Sequence, residues 1–85
     1  MIKYHLEITV SAEKELHKYD QKLQNRFINK ILGLSDNPRP RGFKKLFASN
    51  NYRIRIGDYR VIYSISDSNR TVKVLDIGHR REIYR

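Results

Sequence analysis

The sequence predicts an α+β fold in the order β-α-α-β-β-β: an N-terminal strand, a helical hairpin, then a three- to four-stranded, mostly antiparallel sheet. Three observations predict it. Apolar residues between 12 and 34 recur at helical spacing, whereas residues 52–77 divide into short runs rich in β-branched and aromatic side chains. The stretch Asn37-Pro38 divides the two halves, because proline removes a backbone donor and restricts the residue before it. The 85 residues suit a single domain spanning 1–85, with one modest core.

Each element has its own justification. Residues 2–10 read as a strand, with Ile2, Tyr4, Leu6 and Ile8 alternating against Lys3, His5 and Glu7. Ser11 is the expected cap of a first helix, with Glu13 and Glu15 suited to the positive end of its dipole. Ala12, Leu16 and Tyr19 share one face of that helix, and Asp20 is the expected cap of the second. Leu23, Phe27, Ile28, Ile31, Leu32 and Leu34 then follow a helical period as far as Asn37-Pro38. A basic loop over 37–42 leads through 43–47 to strands at 52–56, 59–66 and 71–77. Gly57-Asp58 is a two-residue hairpin link in which glycine supplies a positive φ, and residues 67–70 form a second turn.

Charge is distributed unevenly along this frame. Residues 1–37 hold six Lys/Arg against five Asp/Glu, whereas residues 38–85 hold twelve against four. A field concentrated in that way attracts polyanions and gains affinity by releasing their counterions. The period of two along residues 52–56 sends Tyr52, Ile54 and Ile56 to one face and Arg53 and Arg55 to the other, where Arg60 joins them if the hairpin register allows. Arginine grips phosphate oxygens in pairs through a fixed fork of donors. Lys44, Lys45 and Arg81 are further candidates for RNA contact. A solvated basic face that only aids solubility is the plainer alternative.

Several functions find no support. With no cysteine there is no disulfide framework or thiolate metal site, which fits a reducing cytoplasm. No apolar run reaches signal-peptide or membrane-span length, and the arginines lie on strand-like segments instead of a basic amphipathic helix, so no membrane partner is expected. The acids Asp58, Asp67, Asp76 and Glu82 are scattered singly, and no glycine loop cradles a phosphate, so neither a two-metal site nor a nucleotide cofactor is expected. His5 and His17 read as surface histidines, and Tyr59 and Tyr63 as packing residues.

The run Tyr52-Arg53-Ile54-Arg55-Ile56-Gly57-Asp58-Tyr59-Arg60-Val61-Ile62-Tyr63, followed by Val74-Leu75-Asp76-Ile77-Gly78-His79-Arg80-Arg81-Glu82-Ile83-Tyr84, resembles the RelE group of the RelE/ParE toxin superfamily. The helical hairpin and the Asn37-Pro38 break agree, so the resemblance covers nearly the whole chain. It implies the toxin of a toxin–antitoxin pair, a cytoplasmic mRNA interferase that enters the ribosomal A site, cleaves mRNA and inhibits translation. It also implies a cognate RelB-like antitoxin that wraps the toxin in a hetero-oligomer.

The implied endoribonuclease reaction uses no metal or other cofactor. The 2′-hydroxyl attacks the adjacent phosphorus, leaving a 2′,3′-cyclic phosphate and a free 5′-hydroxyl. Carried over residue by residue, the resemblance puts Arg53, Arg55 and Arg60 around the phosphates, Arg80 near the leaving group and Tyr84 against a base or the 2′-hydroxyl. Some relatives carry lysines where this chain has Arg53 and Arg55. A desolvated lysine can act as a base, whereas arginine, with a pKa above ~12, cannot. His79 and Tyr84 are the two candidates for that role. The alternative within the same superfamily is a ParE-like toxin that poisons DNA gyrase by binding, without cutting RNA. The pairing of Arg80 with Tyr84 favours the nuclease.

Overall fold

A computed structural model of the chain describes residues 3–46 and 49–79. The expectations placed on Ile2, on Phe47 and on the tail from Arg80 to Arg85 lie outside the described residues. The elements are β1 (His5–Ile8), α1 (Val10–Leu16), α2 (Gln21–Asp36), β2 (Lys44–Lys45), β3 (Asn51–Ile56), β4 (Tyr59–Ser66) and β5 (Thr71–His79). They build an α+β domain whose five strands lie in the order β1-β5-β4-β3-β2. Four strands follow the helical hairpin, within the expected three to four, the shortest formed where Lys44 and Lys45 pair with Arg53 and Tyr52. β1 runs parallel to β5, and the other neighbours are antiparallel.

The first strand is shorter than its alternation suggests, and the first cap is Thr9 instead of Ser11. Thr9 Oγ1 accepts the Ala12 amide at 3.1 Å and donates to the Leu75 carbonyl at 3.2 Å. Its own amide donates to Val74 at 3.0 Å. These bonds to β5 end the strand at Ile8, and Val10, a strand-type residue, becomes the first residue of α1. Asp20 caps α2 as its sequence suggests, accepting the Leu23 amide at 2.8 Å, and the helix ends at Asp36 before Asn37-Pro38.

Ala12, Leu16, Phe27 and Leu34 bury their side chains against Ile54, Ile56, Val61, Tyr63, Val72, Val74 and Ile77 of the sheet. The helical hairpin therefore covers one face, and the opposite face carries the alternate residues of each strand. Gly57 has a φ of +60° and Asp58 does not share it, as the expected tight hairpin requires. At the other hairpin Arg70 closes the 67–70 turn with a φ of +50°, a conformation L residues rarely adopt.

One irregularity decides which residues of β5 face which way. Ile62 pairs with Asp76 and Tyr63 with Val74, so Leu75 is an extra residue in the ladder, a β-bulge. Before it Val72 and Val74 point into the core; after it the parity flips and Ile77 does so. Asp76 and Gly78 consequently stand on the face free of helices.

Candidate nucleic-acid interface

The helix-free face is assembled by register. Arg55 of β3 lies directly opposite Arg60 of β4, and Arg60 lies opposite Gly78 of β5. The neighbouring row runs Lys44, Arg53, Ile62 and Asp76 across four strands. Arg53, Arg55 and Arg60 thus share a face, as strand alternation predicts. Their exposures are graded: Arg55 is exposed, Arg53 half-buried and Arg60 only 5% exposed. Gly78 has no side chain to compete for the space beside the Arg60 stem. Lys44 joins this face, whereas Lys45, paired with Tyr52, belongs to the other.

His79 is not brought to the arginines. It pairs with Tyr59, and the two rings meet edge to face at 5.4 Å. Tyr59 in turn packs on Tyr19 at 5.3 Å and Phe27 at 5.7 Å beneath the helices. Without the bulge at Leu75, His79 and Arg60 would share a face; with it, they stand on opposite ones. Arg80, Arg81 and Tyr84 lie outside the described residues.

Asp76 is the residue that sequence reasoning passed over. The bulge exposes its carboxylate on the helix-free face, diagonal to Arg60 and in the row of Arg53. Alternation counted along 72–76 puts Asp76 on the core side, and no local signal in the sequence marks the extra residue. One carboxylate oxygen accepts the Ile77 amide at 2.9 Å, which fixes the group close to the backbone.

A second cluster ties the basic loop to the helix-side face of the sheet. The 37–42 loop is tied to the sheet through Arg39, whose guanidinium donates to both carboxylate oxygens of Asp67, at 3.3 and 2.9 Å. Tyr4 donates to the same carboxylate at 2.6 Å. Arg39, and secondarily Tyr4, hold the Asp67 carboxyl below its usual range, and the same carboxylate raises the Tyr4 phenol. The Arg39 guanidinium also lies 5.7 Å from the Tyr52 ring centre. Below it, buried Tyr63 donates to the Pro38 carbonyl at 2.8 Å, and burial pushes its phenol up to about 12. The loop that composition marks only as basic is therefore fixed to the sheet at two points.

Among the described residues no three His, Cys, Asp or Glu side chains are grouped to hold a metal ion, and no helix is long and apolar enough to cross a membrane.

The fold and this face together define a small α+β domain that carries Arg53, Arg55 and Arg60 on the face of its sheet opposite the helical hairpin. Comparison with known proteins gives the class a family. The family of the ParE toxin of the type II toxin–antitoxin system, parDE, matches residues 6–84. Toxin RelE of Mycobacterium tuberculosis is 33% identical over 85 residues, covering 96% of this chain and 87% of that protein. Toxin RelG of the same organism is 31% identical over 84 residues, covering 96% of this chain and 97% of that protein. The archaeal RelE–RelB complex from Pyrococcus horikoshii OT3 has a chain that superposes with a TM-score of 0.84 at 30% identity, covering 95% of this chain and 99% of that one. The chain belongs to the RelE/ParE superfamily and is a toxin of a toxin–antitoxin system.

Proposed function

We propose that this toxin is a ribosome-dependent, metal-independent endoribonuclease that cleaves mRNA in the A site and so inhibits translation. The observation that carries the reading is the row of Arg55 opposite Arg60, with Arg53 on the same face. Cleavage by the 2′-hydroxyl requires a group to take its proton, charge stabilisation on the phosphorane, and support for the departing 5′-oxygen. Guanidinium groups held on adjacent strands suit the second requirement, because their charge is permanent and their donors need little reorganisation. Arg53, Arg55 and Arg60 are assigned to the phosphates, with Lys44 beside them and Lys45 and Arg81 as outlying RNA contacts. Arg80 is assigned to the leaving group and Tyr84 to the base or the 2′-hydroxyl.

Among the described residues, proton removal is assigned to Asp76 in preference to His79, while Tyr84, the other candidate, lies outside them. A carboxylate on the arginine face can reach a 2′-hydroxyl lying on those arginines, whereas His79 packs against Tyr59 on the other side. The partner is a RelB-like antitoxin, since the similar P. horikoshii RelE chain was solved in complex with RelB. A net charge of +9 complements an acidic antitoxin segment as well as RNA. The ribosomal target sets the site of action in the cytoplasm.

The ParE family match favours a second reading, in which the chain poisons DNA gyrase by binding. One experiment separates the two: induction in a bacterium lacking the antitoxin, with primer extension on an abundant mRNA, alongside Arg60→Ala and Tyr84→Phe. In-frame cuts that vanish with Arg60→Ala, together with arrested translation, support the nuclease. Growth arrest with intact mRNA and an induced DNA-damage response supports the gyrase poison.

A further inference from the structure

The arginine face does not end at the sheet edge. Among the described residues β2 covers β3 only at Tyr52 and Arg53, and Ile54 to Ile56 have no strand on that side. Between that edge and α2 lies a cleft of about 410 Å³ lined by Arg26, Asn29, Lys30, Arg55, Ile56 and Gly57. Its three charged side chains are all cationic and all exposed. None takes part in an ion pair among the described residues, where the acids Glu7, Glu15, Asp36 and Asp67 are paired elsewhere.

Two details separate this cleft from an ordinary solvated helix face. Lys22, Arg26 and Lys30 recur every four residues along α2, so their charges stack on one stripe, and the helix carries no acid before Asp36. Like charges at that spacing destabilise a helix, and this one has no acid within the stripe to offset them. The second detail is the position of Arg26. Its guanidinium lies over the β3–β4 turn, where a Cβ added at Gly57 would stand 3.5 Å from Nη2. The cation is held beside the glycine turn and next to Arg55, which continues the row to Arg60.

We propose that this cleft is a second RNA-binding site, in which Arg26 and Lys30 grip the sugar–phosphate backbone of RNA that extends past Arg55. The proposal rests on the nuclease reading for its choice of RNA. It adds a contact on α2, an element otherwise occupied with packing. Asn29 supplies an amide for ribose or phosphate oxygens beside the three cations.

The test is salt-dependent binding by Arg26→Gln/Lys30→Gln, whose exposed substitutions leave the core intact. Two RNA probes distinguish the source of the phosphates: a 2′-O-methylated single-stranded 12-mer, which cannot be cleaved by its own 2′-oxygen, and vacant ribosomes. Losing two phosphate contacts on the 12-mer lowers the slope of log K against log salt by ~1.4. That result places the cleft on the strand held by the arginine face; a comparable loss on ribosomes alone places it on ribosomal RNA, and either supports the site. Unchanged slopes on both probes, with the thermal melt preserved, overturn it. So does a variant that loses affinity for poly-glutamate while binding both RNAs normally, because the cleft then serves an acidic protein. An Arg60→Ala protein that still cleaves mRNA counts against the catalytic face, whereas the slope change belongs to the cleft alone.

Discussion

Arg55 and Arg60 stand directly opposite each other across the β3–β4 ladder, the first exposed and the second only 5% exposed. Like charges at directly opposed positions destabilise a sheet by ~0.2–1 kcal/mol. A strand-favouring neutral residue at the exposed position relieves that repulsion. Arg55→Thr is therefore expected to raise the urea midpoint by the equivalent of ~0.5 kcal/mol. The same protein is expected to bind single-stranded RNA with a salt slope smaller by ~0.7, the loss of one phosphate contact. A destabilised Arg55→Thr protein would show that the pair is already compensated within the fold.

Tyr63 gives a pH dependence whose sign is determined by burial. Its phenol is raised to about 12 in the folded chain, against the ordinary value of 10.0. A raised folded pKa contributes stability that is complete below the unfolded value and is lost as pH climbs from there through the folded one. Tyr63→Phe leaves the Pro38 carbonyl without the 2.8 Å hydroxyl donor, at a cost of ~1 kcal/mol at neutral pH. By about pH 11.5 the native protein has lost ~2 kcal/mol through this tyrosine, whereas the phenylalanine variant has nothing there to ionise. Urea melts at pH 7 and 11.5 should show the order of stabilities reversing.

Thr9 joins the start of α1 to the bulge in β5 through a single hydroxyl, which accepts from Ala12 and donates to Leu75. Thr9→Ala removes a cap worth ~1–2 kcal/mol and leaves the Leu75 carbonyl short of a donor. Thr9→Ser retains the hydroxyl and is expected to stay within ~0.5 kcal/mol of the native protein. Hydrogen exchange should show the Asp76 and Ile77 amides losing protection in the alanine variant and keeping it in the serine one. Equal protection in both would mean that the bulge is held by the ladder alone.

These residues also show what the sequence makes legible. Element type and order follow from period: the helical spacing of Leu23, Phe27, Ile31 and Leu34, and the alternation of Arg53 and Arg55 with Tyr52, Ile54 and Ile56, are local properties of the chain. The Gly57-Asp58 link sets a hairpin register that puts Arg60 beside Arg55. Features that depend on distant partners are hidden. Thr9, Val10 and Ser11 give two residues able to cap and one suited to a strand, and the choice of Thr9 is made by Val74 and Leu75, more than sixty positions away. The bulge that exposes Asp76 and turns His79 away has no composition signal of its own. Nothing local to α2 shows that Arg26 stands over the β3–β4 turn at Gly57.

The proton acceptor is the most direct test of the bulge's consequence. Asp76 shares the face of Arg53, Arg55 and Arg60, whereas His79 pairs with Tyr59 on the helix side. Positioned general acid–base groups contribute ~10²–10⁴ in rate. Asp76→Asn retains the size of the side chain and an oxygen for the Ile77 amide, yet removes the proton acceptor. Single-turnover cleavage on programmed ribosomes is expected to slow by at least ~10² with this change. His79→Gln is expected to slow it by less than ~10-fold, since the ring packs against Tyr59 on the opposite face from the arginines. A large loss confined to His79→Gln, with Asp76→Asn cleaving at the native rate, would return the role to the histidine and require the end of β5 to rearrange when RNA binds.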